Sequence, residues 1–119
     1  MITREGTILV AKVWHAESWW SRLRGLLFRP PLPADGSQGL LITPCASVHT
    51  CGMTYTIDIV FIDDAGVLVG CREAVAPLRF RMQRGSRSVL ELAQGAIGRH
   101  RIRTGDRLLW TPAAGGAPA

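Results

Sequence analysis

The sequence lacks any long apolar run. Its apolar runs, such as residues 59–62, 67–69 and 108–110, fall far short of the roughly 20 residues a helix needs to cross a bilayer. No membrane span is therefore expected. The opening residues Thr3-Arg4-Glu5-Gly6 are polar and lead into no extended apolar stretch, so a secretory leader is not expected and a cytoplasmic address is. Cysteine is sparse: Cys45, Cys51 and Cys71 are odd in number and form no regular framework, which argues against a disulfide-stapled secreted module. A Cys45–Cys51 bridge is sterically open only if the chain turns between them.

Lysine is almost absent. Lys12 is the single lysine among 14 basic residues, against 9 acidic ones, for a formal charge of +5. Nine of the basic residues fall between Arg72 and Arg107. Such a skew suits a phosphate-binding face, but a nucleic-acid platform also needs exposed aromatics interleaved with the cations. The pattern offers none, and nucleic acid is not the expected partner.

What is present fits one domain. The chain has 119 residues, 47% hydrophobic and 19% charged, enough to bury about two-thirds of its unfolded surface around a single core. Residues 7–14 (T-I-L-V-A-K-V-W) read as a strand. Residues 18–28 change to helical spacing, with Trp19, Trp20, Leu23, Leu26 and Leu27 on one side. Trp19 and Trp20 would anchor that helix at the core and its rim. Gly25 weakens it, and the prolines from Pro30 end it. A loop at 34–38 precedes a strand at 39–43.

The clearest hairpin joins 56–63 to 67–73 through Asp63-Asp64-Ala65-Gly66, a strong turn signal. Ile57, Ile59 and Phe61 face one way, and Asp58, Val60 and Ile62 the other, so this strand is central and covered on both sides. Residues 77–87 read as basic and irregular, 88–92 as a strand or the lead-in to a helical turn, and 95–100 as a turn-rich connector. A last strand covers 107–111. Residues 112–119 contain only Pro, Ala and Gly, a flexible tail to a domain spanning 1–111. The expected fold is mainly β: a compact single-domain sandwich or barrel with one or two short helices.

Chemistry concentrates in residues 45–53. If they are extended, Cys45, Ser47, His49, Cys51 and Met53 share a face. Three readings follow: core packing, a soft-metal site for Zn or Cu with Cys45, His49 and Cys51 as ligands, or a thiol activated by His49. Alternate residues lie about 7 Å apart, so a metal requires a bulge, for which Gly52 is placed. Asp58, inside an apolar strand, must be hydrogen-bonded or shift its pKa. It is either a reactive carboxylate beside His49 or an acceptor of backbone N–H groups that fixes a turn. Glu91 in V-L-E-L invites the same pair of readings, and Asp106 after Gly105 fits a turn. His15 and His100 read as surface residues.

The segments R-L-R-G-L-L-F-R (22–29), G-L-L-I-T-P-C (39–45), S-V-H-T (47–50) and I-D-I-V-F-I-D (57–63), with Gly66, Pro77, V-L-E-L (89–92), Gly95 and G-D-R-L (105–108), resemble the domain-of-unknown-function 192 family. The resemblance runs from residue 7 to 110. It implies a β-sandwich or barrel with short helices and supplies no activity, substrate or cofactor. Its polar positions here are Cys45, His49, Met53, Asp58, Glu91 and Asp106. Cys51 departs from the family pattern, which weakens any scheme that needs it as a ligand. The reading that results is a small non-catalytic binding or accessory domain, with a cleft near Cys45, His49 and Asp58 for a small ligand or a protein partner. The soft-metal or redox-cysteine site is its first alternative, and nucleic-acid binding through the arginines its second.

Overall fold

A computed structural model describes residues 1–16, 32–33, 35–43, 47–49, 55–77 and 79–111, with residues 16 and 47–49 described by backbone alone. The helix expected at 18–28 and the tail expected at 112–119 lie outside the described residues. In chain order the strands are β1 (Ile2–Arg4), β2 (Thr7–Val10), β3 (Lys12–Ala16), β4 (Gln38–Ile42), β5 (Ser47–His49), β6 (Ile57–Ile62), β7 (Leu68–Val75), β8 (Phe80–Met82) and β9 (Ser88–Ala93). A short helix α1 (Ala96–Arg99) and strand β10 (Leu109–Trp110) complete the order. The fold is mainly β, as the alternation of its apolar residues requires.

A five-stranded sheet, ordered β3-β4-β9-β6-β7, forms the centre. Only β3 and β4 run parallel. A parallel pair needs a long crossover, and residues 17–37 separate the two strands in sequence. Strand β6 lies between β9 and β7 and is buried at all six positions. Ile57, Ile59 and Phe61 pack into one apolar cluster with Leu40, Ile42 and Val89. Val60 and Ile62 join a second cluster with Leu41, Leu90 and Leu92 on the opposite face. Each fully buried side chain of this size contributes about 1.5–3 kcal/mol, so a register slip of one residue along β6 would forfeit both clusters.

The second cluster is closed by a small antiparallel sheet, β10-β1-β2, through Ile2, Leu9 and Val10, and by Ala96 and Ile97 of α1. This makes a two-layer sandwich. On the other face, the two-stranded sheet β5-β8 leads into Gln83, whose Oε1 accepts from Arg72 Nη2 at 3.2 Å. Arg72 itself lies 5.7 Å from the Phe61 ring centroid.

Three local expectations are corrected, and one strand falls where none was expected. Residues 7–14 are two strands broken at Ala11, because β2 pairs with β1 and β3 with β4. The polar residues 2–4 form β1, turned into β2 by Glu5 (φ 51°) and Gly6 (φ 80°), two left-handed residues of the kind a tight hairpin turn demands. The segment 77–87 contains strand β8, paired with β5. Residues 95–100 include α1 rather than a turn alone.

Candidate functional site

Asp58 is the best-defined of the candidate residues. Its side chain is fully buried, at 0% exposure. Oδ1 accepts the Ala74 N–H at 2.8 Å, and Oδ2 accepts those of Gly95 and Ile97, both at 3.0 Å. Ala74 holds the left-handed φ of 52° at a bulge where Ile57 faces Val75 and Ile59 faces Arg72. An alanine in that conformation costs about 1–2 kcal/mol, and the bond to Asp58 offsets it. The other two N–H groups belong to the start of α1, where Gly95 is the N-cap and has no capping side chain of its own. Asp58 therefore ties β6 to β7 and α1 and commits its acceptors to backbone.

Asp106 has a similar occupation nearer the surface. Its Oδ2 accepts the Arg103 N–H at 3.0 Å and Arg4 Nη1 at 2.8 Å, while its carbonyl accepts from Leu68 at 2.8 Å. The Arg103 backbone N–H and the Arg4 guanidinium hold its carboxyl below the usual aspartate range. Arg4 also donates to the carbonyls of His100 and Arg101, so this cluster fastens β1 to the chain after α1. Glu91 on β9 is buried, at 3% exposure, and stands opposite Ile59 and Leu40.

The segment 45–53 is described only at β5, where Ser47, Val48 and His49 pair with Met82, Arg81 and Phe80. This gives the extended backbone expected there and puts His49 in a different sheet from Asp58. Cys45, Cys51 and Met53, and with them the soft-metal reading, lie outside the described residues. Among the described residues no three His, Cys, Asp or Glu side chains are placed to hold a metal ion. Cys71 is a free, half-buried thiol, and burial followed by the Glu73 charge pushes its pKa up. It is thus kept as the thiol at neutral pH.

The structure also opens a site that no local motif announced. The mouth of the sandwich holds a cleft of about 320 Å³. Its apolar floor is Ile2, Leu41, Ile62 and Leu108; His15 and Trp110 form one wall, their rings edge-on with centroids 4.3 Å apart. Thr43 and Ser88, whose hydroxyls meet at 2.7 Å, add polarity, and the 63–66 turn forms the rim. Asp63 Oδ1 accepts the N–H groups of Ala65 and Val67 at 2.9 and 2.8 Å. Gly66, at φ 84°, lies so close to Leu108 that a Cβ would meet the Leu108 carbonyl at 2.8 Å.

His15 is thus a half-buried ring in a cleft wall rather than a surface residue. His100 is also half-buried, with Nε2 3.1 Å from the Gly36 carbonyl. The cleft joins residues from both ends of the chain, through the pairings His15↔Leu41 and Ile2↔Trp110. Only its rim was visible in sequence, as a turn.

One expectation about the arginines also fails. Phe80 is 45% exposed and Met82 58%, and Phe80 stands between Arg79 and Arg81. No carboxylate occurs from residue 74 to residue 90. An exposed aromatic therefore does occur within the arginine-rich stretch.

Together the fold and cleft define a class: a small β domain with a five-stranded mixed sheet, backed by a three-stranded sheet and open at one end. The model of the DUF192 family, described as an uncharacterised ACR, matches residues 1–110, and the chain belongs to that family. It is 27% identical over 115 residues to a UPF0127 protein of Thermococcus sibiricus (strain DSM 12597 / MM 739), covering 89% of this chain and 70% of that one. A protein of unknown function from Novosphingobium aromaticivorans DSM 12444 superposes with a TM-score of 0.74 at 22% identity, over 82% of this chain and 74% of that one. A candidate transcription regulator from Sinorhizobium meliloti 1021 gives 0.73 at 24% identity, over 82% and 79%. At such identities the likeness is one of fold.

Proposed function

We propose that this protein is a non-catalytic binding or accessory module whose ligand, a small molecule or a side chain of a partner protein, enters the cleft at the mouth of the sandwich. The observation that carries the reading is the cleft itself, an apolar floor with a few convergent polar groups, the usual make-up of a ligand site. Supporting it, Asp58, the buried carboxylate that could have served as an acid or base, and Asp106 are both engaged by backbone N–H groups. The free Cys71 suits a reducing, cytoplasmic setting, and no helix among the described residues is long and apolar enough to cross a membrane.

A mixed-charge small-molecule library, followed by amide NMR, tests the reading. Saturable shifts gathered at Thr43, Gly66 and Ser88 support it. Shifts confined to other surfaces, or a turnover that disappears in His49→Ala, would overturn it.

A second reading rests on the exposure of Phe80. An exposed aromatic in a stretch that also carries Arg79, Arg81 and Arg84 suits single-stranded nucleic acid, with a base stacking on Phe80 and phosphates on the guanidiniums. It predicts oligonucleotide binding that weakens steeply with salt and is reduced in Phe80→Ala. No binding at low salt ends it.

A further inference from the structure

The make-up of the cleft indicates the charge of what it binds. The chain carries 14 Lys and Arg residues against 9 Asp and Glu, so a patch taken at random should be basic. The cleft is the reverse: Asp63 and Asp64 line it, and among the described residues no lysine or arginine does. Arg87 and Arg107 stand next in sequence to the lining residues Ser88 and Leu108, yet neither enters the lining.

The distribution of acceptors points the same way. Asp63 commits Oδ1 to the turn, which leaves Oδ2 available at the rim, and Asp64 is exposed beside it. Thr43 and Ser88 share one hydrogen bond, leaving oxygen lone pairs for a further donor. Behind these acceptors lies the edge-on pair of His15 and Trp110, and an indole face attracts a cation. At physiological ionic strength, charges beyond about 8 Å are largely screened, so the carboxylates that line the cleft weigh more on a bound ligand than charges farther off do.

Resting on the binding reading above, we infer that the cleft takes a small organic cation: an ammonium or guanidinium group on an apolar or aromatic body. The body fills the floor over Leu41 and Ile62, and the charged head meets Asp63 and Asp64. A lysine or arginine side chain of a partner carries the same chemistry as a free amine.

Three probes of one shape and three charges test this. Benzylammonium, benzyl alcohol and benzoate are titrated separately into the full chain, and amide shifts are followed at Thr43, Asp63, Gly66, Ser88 and Trp110. Benzylammonium is expected to bind about tenfold more tightly than benzyl alcohol, the scale of one favourable charge contact, and benzoate more weakly than both. In the double variant Asp63→Asn and Asp64→Asn, benzylammonium should fall to the affinity of benzyl alcohol while benzyl alcohol itself is unchanged. The side-chain amide oxygen that Asp63→Asn introduces can still accept the two turn N–H groups, so the rim keeps its form. Equal binding of the ammonium and the alcohol to the unaltered chain overturns the charge preference and leaves the binding reading standing. Failure of all three probes to shift the cleft overturns both.

Discussion

The two ends of strand β6 put the same residue type to opposite uses. At its start, Asp58 is buried and meets three backbone N–H groups, closing that end over the Ala74 bulge and α1. Just past its other end, Asp63 gives one oxygen to the turn and keeps the second at the rim of an open cleft, with Asp64 exposed beside it. A carboxylate whose acceptors are filled by backbone is committed to the fold, since releasing it would strand buried donors. One with spare acceptors beside a cavity is available to a ligand. Residue type alone does not distinguish the two; the accounting of hydrogen bonds does.

The comparison breaks first at Asp58. Asp58→Ala leaves three N–H groups without their acceptor and should cost about 4 kcal/mol in urea unfolding; a loss below about 1 kcal/mol would show that water replaces the carboxylate. Gly66→Ala comes next, at about 2 kcal/mol, because it meets both an unfavourable φ and the Leu108 carbonyl. Gly105→Ala shares a left-handed φ of 96° but has no atom within 4 Å of the new Cβ, so about 1 kcal/mol is expected. Similar losses at both glycines would mean that the wall and rim of the cleft are not held together there.

Asp106 sharpens the contrast through pH. Its folded pKa is depressed by the Arg103 N–H and by Arg4, so its contribution is present above the unfolded value near 3.8 and is lost as pH falls through the lower folded value. Urea midpoints taken between pH 5 and pH 2.5 should fall less steeply in Asp106→Asn than in the unaltered chain. The smallest effect is assigned to the double variant Asp63→Asn and Asp64→Asn, whose stability should stay within about 0.5 kcal/mol. A larger loss would move the rim carboxylates into the same structural class as Asp58.

Much of the sheet was legible because its signals are local. The alternation of Ile57 to Ile62 announced a central strand with two buried faces, and Asp63-Asp64-Ala65-Gly66 announced the hairpin. Strand β1 was hidden because Thr3 and Arg4 are polar and the partners of Thr3, Leu109 and Ile8 on the two outer strands, have exposed side chains. Strand β8 was hidden because a three-residue strand pairs with one just as short. The structural role of Asp58 was among the two readings its setting allowed. Its partners were not, because the N–H groups of Ala74, Gly95 and Ile97 converge only when β7 and α1 pack together. The cleft was the least legible of all, since His15, Leu41 and Trp110 meet through register across the whole chain.

Intermolecular NOEs between the ring protons of benzylammonium and the isotopically labelled chain test the central claim most directly. The account predicts NOEs to Leu41, Ile62 and Trp110, which place the ring in the cleft. NOEs to Phe80 and Met82, an exposed apolar pair outside the cleft, would contradict it and move the binding function to β8.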